Sequence, residues 1–85
     1  MLVLIFHPRA EKNLLAIPKK TRLAILTELD ALRAMRHPLE HRRAKKLQGV
    51  TNSYRIRIGD YRILTELKDT MHLFILDIRN RQVGY

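Results

Sequence analysis

Apolar and polar positions alternate most regularly between Tyr54 and Leu67, where Tyr-Arg-Ile-Arg-Ile and Tyr-Arg-Ile-Leu-Thr-Glu-Leu flank Gly59-Asp60. A period of two sends successive side chains to opposite faces of a strand. Gly59-Asp60 is a two-residue loop of the Gly-first type, so the pattern predicts a tight β-hairpin with Ile58 facing Tyr61, Arg57 facing Arg62 and Ile56 facing Ile63. Tyr54, Ile56 and Ile58 point to one side with Tyr61. Arg55, Arg57 and Arg62 share the other. Like charges directly opposite each other destabilise a ladder. A sequence shaped by stability alone would more readily place a carboxylate or a threonine there. Three guanidinium groups on one rigid face suit a polyanion, because the planar fork matches phosphate.

The remaining pattern supplies the frame for this hairpin. Leu2 to Phe6 is a short apolar run that predicts a buried strand. His7-Pro8 ends it, and Pro8 suits the first turn of a helix. Ala10, Leu14 and Ile17 recur at helical spacing until Pro18, and Lys19 to about Met35 predicts a second helix. Its expected apolar stripe is Leu23, Leu26, Leu29 and Leu32, with Ile25 at the margin. Arg36 to Arg43, broken by Pro38, reads as a polar connection. Ala44 to Leu47 reads as a short strand, and Gly49 to Ser53 as a loop. After the hairpin the chain turns at 68–70 and enters Met71 to Ile78, apolar on both faces apart from His72 and Asp77. That run predicts a central strand covered by helices on at least one side. Arg79 to Tyr85 reads as a tail. The expected architecture is α+β: β-α-α followed by three or four mostly antiparallel strands, with both helices on one sheet face and the arginine face open. With no repeat, linker or low-complexity tract, residues 1–85 read as one domain with a single modest core.

The chain is strongly and unevenly basic. The chain has 17 Lys and Arg against 8 Asp and Glu, a formal charge of +9. Its pI is near 10.7. Such a balance calls for an anionic partner. Between residues 41 and 62, Arg42, Arg43, Lys45, Lys46, Arg55, Arg57 and Arg62 stand against Asp60 alone, so this segment carries most of the surplus. A solvated basic surface is the bland alternative. The absence of cysteine excludes disulfide and thiolate chemistry and points to a reducing cytoplasm. The first residues lack the layout of a signal peptide and are too short to span a membrane. His7, His37, His41 and His72 have no spacing typical of a metal site or triad, so no metal is expected.

The order of strand, two helices, Lys-Lys-Leu-Gln-Gly at 45–49, the hairpin, and a closing Arg-Asn-Arg-Gln-Val-Gly-Tyr at 79–85 resembles the RelE/ParE toxin superfamily over essentially the whole chain. Within it the chain is most similar to RelE, the toxin half of type II toxin–antitoxin pairs. The resemblance implies cleavage of messenger RNA in the ribosomal A site and neutralisation by a RelB-like antitoxin. It places the active residues at Arg55, Arg57, Arg62, Arg81 and Tyr85, with Lys45 and Lys46 as wider contacts to RNA or ribosomal RNA. RelE members often carry lysine at the positions of Arg55 and Arg57. Arginine keeps its proton, so Arg57 is a poor general base. Related sequences often carry histidine where this chain has Asn80. The remaining candidate for the base is Tyr85, whose phenol has a reference pKa of about 10 and is expected to fall beside a cluster of guanidinium groups.

The mechanism these residues imply is transesterification without metal or cofactor. Tyr85 helps deprotonate a ribose 2′-hydroxyl, Arg57 and Arg62 stabilise the phosphorane, and Arg81 stabilises the departing 5′-oxygen. Arg55, Lys45 and Lys46 hold RNA. Two other functions fit the same resemblance: a ParE-like toxin that poisons DNA gyrase, and a non-catalytic basic module that binds RNA or its antitoxin. ParE-like members usually lack the arginine and terminal tyrosine set.

Overall fold

The computed structural model describes residues 1–80. Strand β1 (Val3–Phe6) leads into helices α1 (Pro8–Leu15) and α2 (Lys19–Arg33). A 3-10 turn at Pro38–Glu40 precedes β2 (Ala44–Lys46), β3 (Ser53–Ile58), β4 (Tyr61–Leu67) and β5 (His72–Asn80). The sheet order is β1-β5-β4-β3-β2. β1 runs parallel to β5, and every other neighbouring pair is antiparallel. This is the expected α+β layering, with one parallel pair closing the sheet through its first and last described strands.

Proline and histidine set the helix boundaries. His7 caps α1 by accepting the Arg9 N–H on Nδ1 at 3.0 Å, with Pro8 at the first helical position. Pro18 separates the helices because its ring cannot continue α1 yet fits the start of α2. The loop at 37–41 repeats the device. His37 accepts the Leu39 N–H while Glu40 accepts the His37 N–H, forming a reciprocal cap.

The core lies between the helices and one sheet face. Ala10, Leu14 and Ile17 meet Ile25, Leu29 and Leu32, and these pack on Ile56, Ile63, Leu73, Ile75 and Ile78. The stripe of α2 differs from the expected one. Ile25 is fully buried whereas Leu23 and Leu26 are 51% and 37% exposed. Ile25, Leu29 and Leu32 stand four and three residues apart on one side, and Leu23 lies about 200° round the helix from Ile25. The leucine series has helical spacing too, and only the sheet beneath selects between the two stripes.

β1 also departs from expectation. It is an edge strand rather than a buried one: Leu4 and Phe6 turn toward the core, and Val3 and Ile5 are 43% and 36% exposed. The expected central strand is β5, flanked by β1 and β4, and it runs on to Asn80 rather than ending at Ile78. A bulge interrupts it. Thr65 pairs with Ile75 and Leu64 with Asp77, leaving Leu76 as the extra residue. The insertion lets Ile75 and Ile78 both reach the core and turns Asp77 toward α1. There Asn13 Nδ2 donates to Asp77 Oδ1 at 2.7 Å. Asp77 is 5% exposed and also accepts from the Ile78 N–H and Arg79 Nε. Burial opposes its ionisation, but these hydrogen bonds and the Arg79 charge outweigh that cost and hold its carboxyl below the usual aspartate range.

Two outcomes check this frame. Ile25→Ala should cost about 2–5 kcal/mol in urea unfolding, while Leu23→Ala should stay within about 0.5 kcal/mol of the parent. A depressed aspartate stabilises the fold above its unfolded pKa, and that stability disappears as pH falls through the folded value. Asp77→Asn should therefore cost about 2 kcal/mol at pH 7, and the gap between the two unfolding curves should begin to narrow as pH drops below about 3.9 and close only below the lower, folded value.

Candidate anion-binding site

Gly59 and Asp60 form the two-residue turn, with Gly59 at φ +58 in the left-handed region that glycine enters without strain. Ile58 pairs with Tyr61, Arg57 with Arg62 and Ile56 with Ile63, as the alternation predicts. Ile56 and Ile63 are buried; Ile58 and Tyr61 pack against the core. Arg55, Arg57 and Arg62 consequently share the face away from the helices.

The backbone bonding tightens this arrangement. The Arg57 N–H points away from β4 and donates to the Arg43 carbonyl at 3.3 Å. Arg57 and Arg62 are thus a non-hydrogen-bonded antiparallel pair, the geometry in which opposing side chains approach most closely. Arg62 directs its backbone groups to β5, where its register partner is Arg79. Lys45 pairs with Arg55 and lies on the same face. Lys46 pairs with Tyr54, so the register sends it to the opposite side of β2 from the arginines. Arg81 and Tyr85, the other residues expected in the site, lie outside the described residues.

A shallow cleft of about 360 Å³ runs along this surface, lined by Arg42, Arg43, Lys45, Arg55 and Arg57. None of its lining residues is acidic, so nothing in its wall offsets five cationic side chains. Arg42 and Arg43 belong to the basic segment that the charge distribution singles out, but their place beside Arg57 depends on a buried histidine. His41 is 3% exposed and accepts the Arg43 N–H on Nδ1 at 3.1 Å. Its Nε2 therefore carries the proton and donates to Glu28 Oε1 of α2 at 2.8 Å. Through His41, helix α2 holds the chain in front of β2 against the tip of β3. The pattern of residues 36–43 reveals no partner for His41, because Glu28 comes from a separate element.

Other polar groups near the hairpin are structural. Tyr54 is 5% exposed, meets His37 edge to face at 5.1 Å, and its hydroxyl lies 3.3 Å from His37 Nε2. Thr65 donates to the Tyr54 carbonyl at 2.9 Å within the core. Tyr54 is thereby committed to packing. Asp69 accepts the N–H groups of Met71 and His72 in the β4–β5 turn, and those two bonds hold its carboxyl below the ordinary range. Among the described residues no helix is long and apolar enough to cross a membrane.

The site can therefore bind an extended anion: a pair of opposed arginines at its centre, a basic cleft on the β2 side, and a third arginine in register on β5. The apolar residues Val3 and Ile5 bound the open face at its β1 edge.

The chain and its fold have counterparts among known proteins. Residues 4–85 match the sequence profile of the ParE toxin of the type II toxin–antitoxin system parDE. No functionally curated protein matches the chain. Among solved structures, it is similar to a chain of the RelE–RelB complex from Pyrococcus horikoshii. The two are 29% identical over 98% of each chain, with a TM-score of 0.75. It is also similar to the toxin–antitoxin complex RelBE2 from Mycobacterium tuberculosis, at 26% identity over 94% of this chain and 98% of that one, with a TM-score of 0.73. The RelB–RelE antitoxin–toxin complex from Methanococcus jannaschii shares the fold at a TM-score of 0.78, with 24% identity over 92% and 91% of the two chains. With all but its first three residues covered by the family profile, the chain belongs to the ParE toxin family and is a RelE/ParE-type toxin of a type II toxin–antitoxin system.

Proposed function

We propose that this toxin is a ribosome-dependent endoribonuclease that cuts messenger RNA in the A site and so halts translation. The observation that carries this reading is the Arg57–Arg62 pair, opposed across β3 and β4 with Arg55 and Lys45 beside it. Such a pair costs stability in a free sheet. It gains purpose when a phosphate lies between the two guanidinium groups, because each then donates to the same anion.

The chemistry follows from where charge develops. The ribose 2′-oxygen attacks the adjacent phosphorus as its proton passes to the phenolate of Tyr85, and the 5′-oxygen leaves, taking a proton from solvent to become a hydroxyl. The phosphorane formed on the way carries more negative charge than the diester. Arg57 and Arg62, already oriented by the sheet, stabilise that excess without reorganising. Arg81 stabilises the departing oxygen or orients its proton donor. The products are a 2′,3′-cyclic phosphate and a 5′-hydroxyl. The scheme draws on no metal or cofactor, since the nucleophile belongs to the substrate. Arg55 and Lys45 contact RNA more widely on the arginine face, and Lys46, on the other side of the edge strand β2, meets only RNA that wraps around that edge. Arginines alone leave the 2′-hydroxyl to find its in-line geometry unaided, so catalysis depends on a ribosome that bends the message into place.

The 85 residues act as one domain in the cytoplasm, where message and ribosomes are found. The partner that restrains them is a RelB-like antitoxin, as in the RelE–RelB complexes that resemble this chain. An acidic or amphipathic antitoxin segment covers the arginine face or displaces the C-terminal tail, gaining charge complementarity over the cleft.

The family profile also favours a second reading, a ParE-like toxin directed at DNA gyrase. Translation in a cell-free extract separates the two. Primer extension should reveal cuts in A-site codons, and Arg62→Ala should slow them about 100-fold or more. Intact message with accumulating gyrase–DNA complexes would transfer the protein to the second reading. Intact message with unaffected gyrase would leave a module that binds RNA or its antitoxin without cutting.

A further inference from the structure

Arg79 stands outside the set of residues that the resemblance selects, because by sequence it opens the tail. In the structure it is a residue of β5 and the register partner of Arg62. Arg57, Arg62 and Arg79 therefore form one row across three neighbouring strands. The register sets Arg79 beside Arg62 on the neighbouring strand.

What distinguishes Arg79 is how it is held. Its Nε donates to Asp77 Oδ2 at 2.8 Å. The other carboxylate oxygen accepts from Asn13 Nδ2 at 2.7 Å and from the Ile78 N–H at 2.9 Å. Arg9 Nε approaches Oδ2 at 3.7 Å from α1. The acceptor is thus buried and fixed by a helix, the backbone and two arginines. An exposed ion pair would contribute little order. A buried carboxylate is different, since leaving it unpaired is costly and its partners are held in place. Gripping an arginine through Nε fixes the plane and direction of its fork, which bidentate recognition of phosphate requires. The bulge at Leu76 turns Asp77 toward α1 while leaving Arg79 in register with Arg62. Bulges placed beside functional sites commonly re-aim a side chain in this way.

We propose that Arg79 is a further phosphate-contacting arginine of the site, and that Asp77, buried and out of reach of substrate, is its positioning residue, braced by Asn13. The inference rests on the endoribonuclease reading for its rate effects. Its binding effects stand apart from that reading.

Two assays on the full chain test it: A-site cleavage in a cell-free extract, and the salt dependence of binding to a single-stranded 2′-O-methyl oligoribonucleotide, which cannot be cut. Arg79→Ala should slow cleavage about 100-fold and lower the slope of log K against log salt by about 0.7, the value of one lost phosphate contact. Asp77→Asn keeps the arginine charge, so its slope should not fall, yet its cleavage should slow roughly 10-fold through misplacement. In the Arg79→Ala background, Asp77→Asn should cost nothing more. Melting curves identify any variant that does not fold. If Asp77→Asn is one of them, Asn13→Ala replaces it and should likewise slow cleavage only when Arg79 is present. Parental slope and rate in Arg79→Ala, with cleavage lost in Arg62→Ala, would overturn the inference and leave the endoribonuclease reading intact. A further slowing by Asp77→Asn in the absence of Arg79 would overturn the positioning role. If the parent cuts nothing, the endoribonuclease reading fails and the salt slope alone decides whether Arg79 contacts phosphate.

Discussion

The register of the β3–β4 hairpin is the constraint from which the site follows. Gly59 and Asp60 turn the chain in two residues, and this places Arg57 opposite Arg62 with Ile56 opposite Ile63. Because side chains alternate with a period of two, a slip of one residue would exchange the faces, burying arginines and exposing isoleucines. The core therefore polices the site. Ile56 and Ile63 are almost wholly buried against the helices, and that burial keeps the guanidinium groups on the open face. Neither hairpin strand can drift without losing both.

The same register creates a local conflict. Opposed arginines repel, and the cleft beside them adds Arg42, Arg43 and Lys45 without an acidic residue in its lining. The frame bears this load by rigidity elsewhere. Helix α2 reaches the basic loop through Glu28 and buried His41, and helix α1 reaches β5 through Asn13 and Asp77. Both contacts are partly buried hydrogen bonds between separate elements, and each ends next to an arginine in sequence, Arg42 in one case and Arg79 by way of Asp77 in the other. A surface that concentrates positive charge so tightly is suited to an anion arriving from outside, whether substrate or antitoxin.

Much of this was legible in the residue pattern, and the exceptions have physical causes. The hairpin could be read directly because alternation and a Gly-first turn are local signals. The positions of Arg55, Arg57 and Arg62 came with it. The buried stripe of α2 was not legible, since Leu23-Leu26 and Ile25-Leu29-Leu32 both satisfy helical spacing and the choice belongs to the sheet beneath. β1 read as buried because an apolar run does not reveal that its strand lies at an edge. Arg79 was assigned to the tail because a bulge shifts the register of β5 and leaves no mark in the periodicity. His41 was invisible as an anchor for the reason that Glu28 is thirteen residues away on another element. Long-range pairings of this kind are settled by tertiary structure, and single-sequence patterns carry them poorly.

In the proposed reaction, arginines organised by one sheet promote attack by the message's own 2′-hydroxyl. The chemical identity of the RNA ends released during translation in a cell-free extract tests it most directly. Attack by the 2′-hydroxyl leaves a 2′,3′-cyclic phosphate on the upstream fragment and a 5′-hydroxyl on the downstream one. A 3′-hydroxyl with a 5′-phosphate would mean that water, activated in some other way, is the nucleophile, and would contradict it.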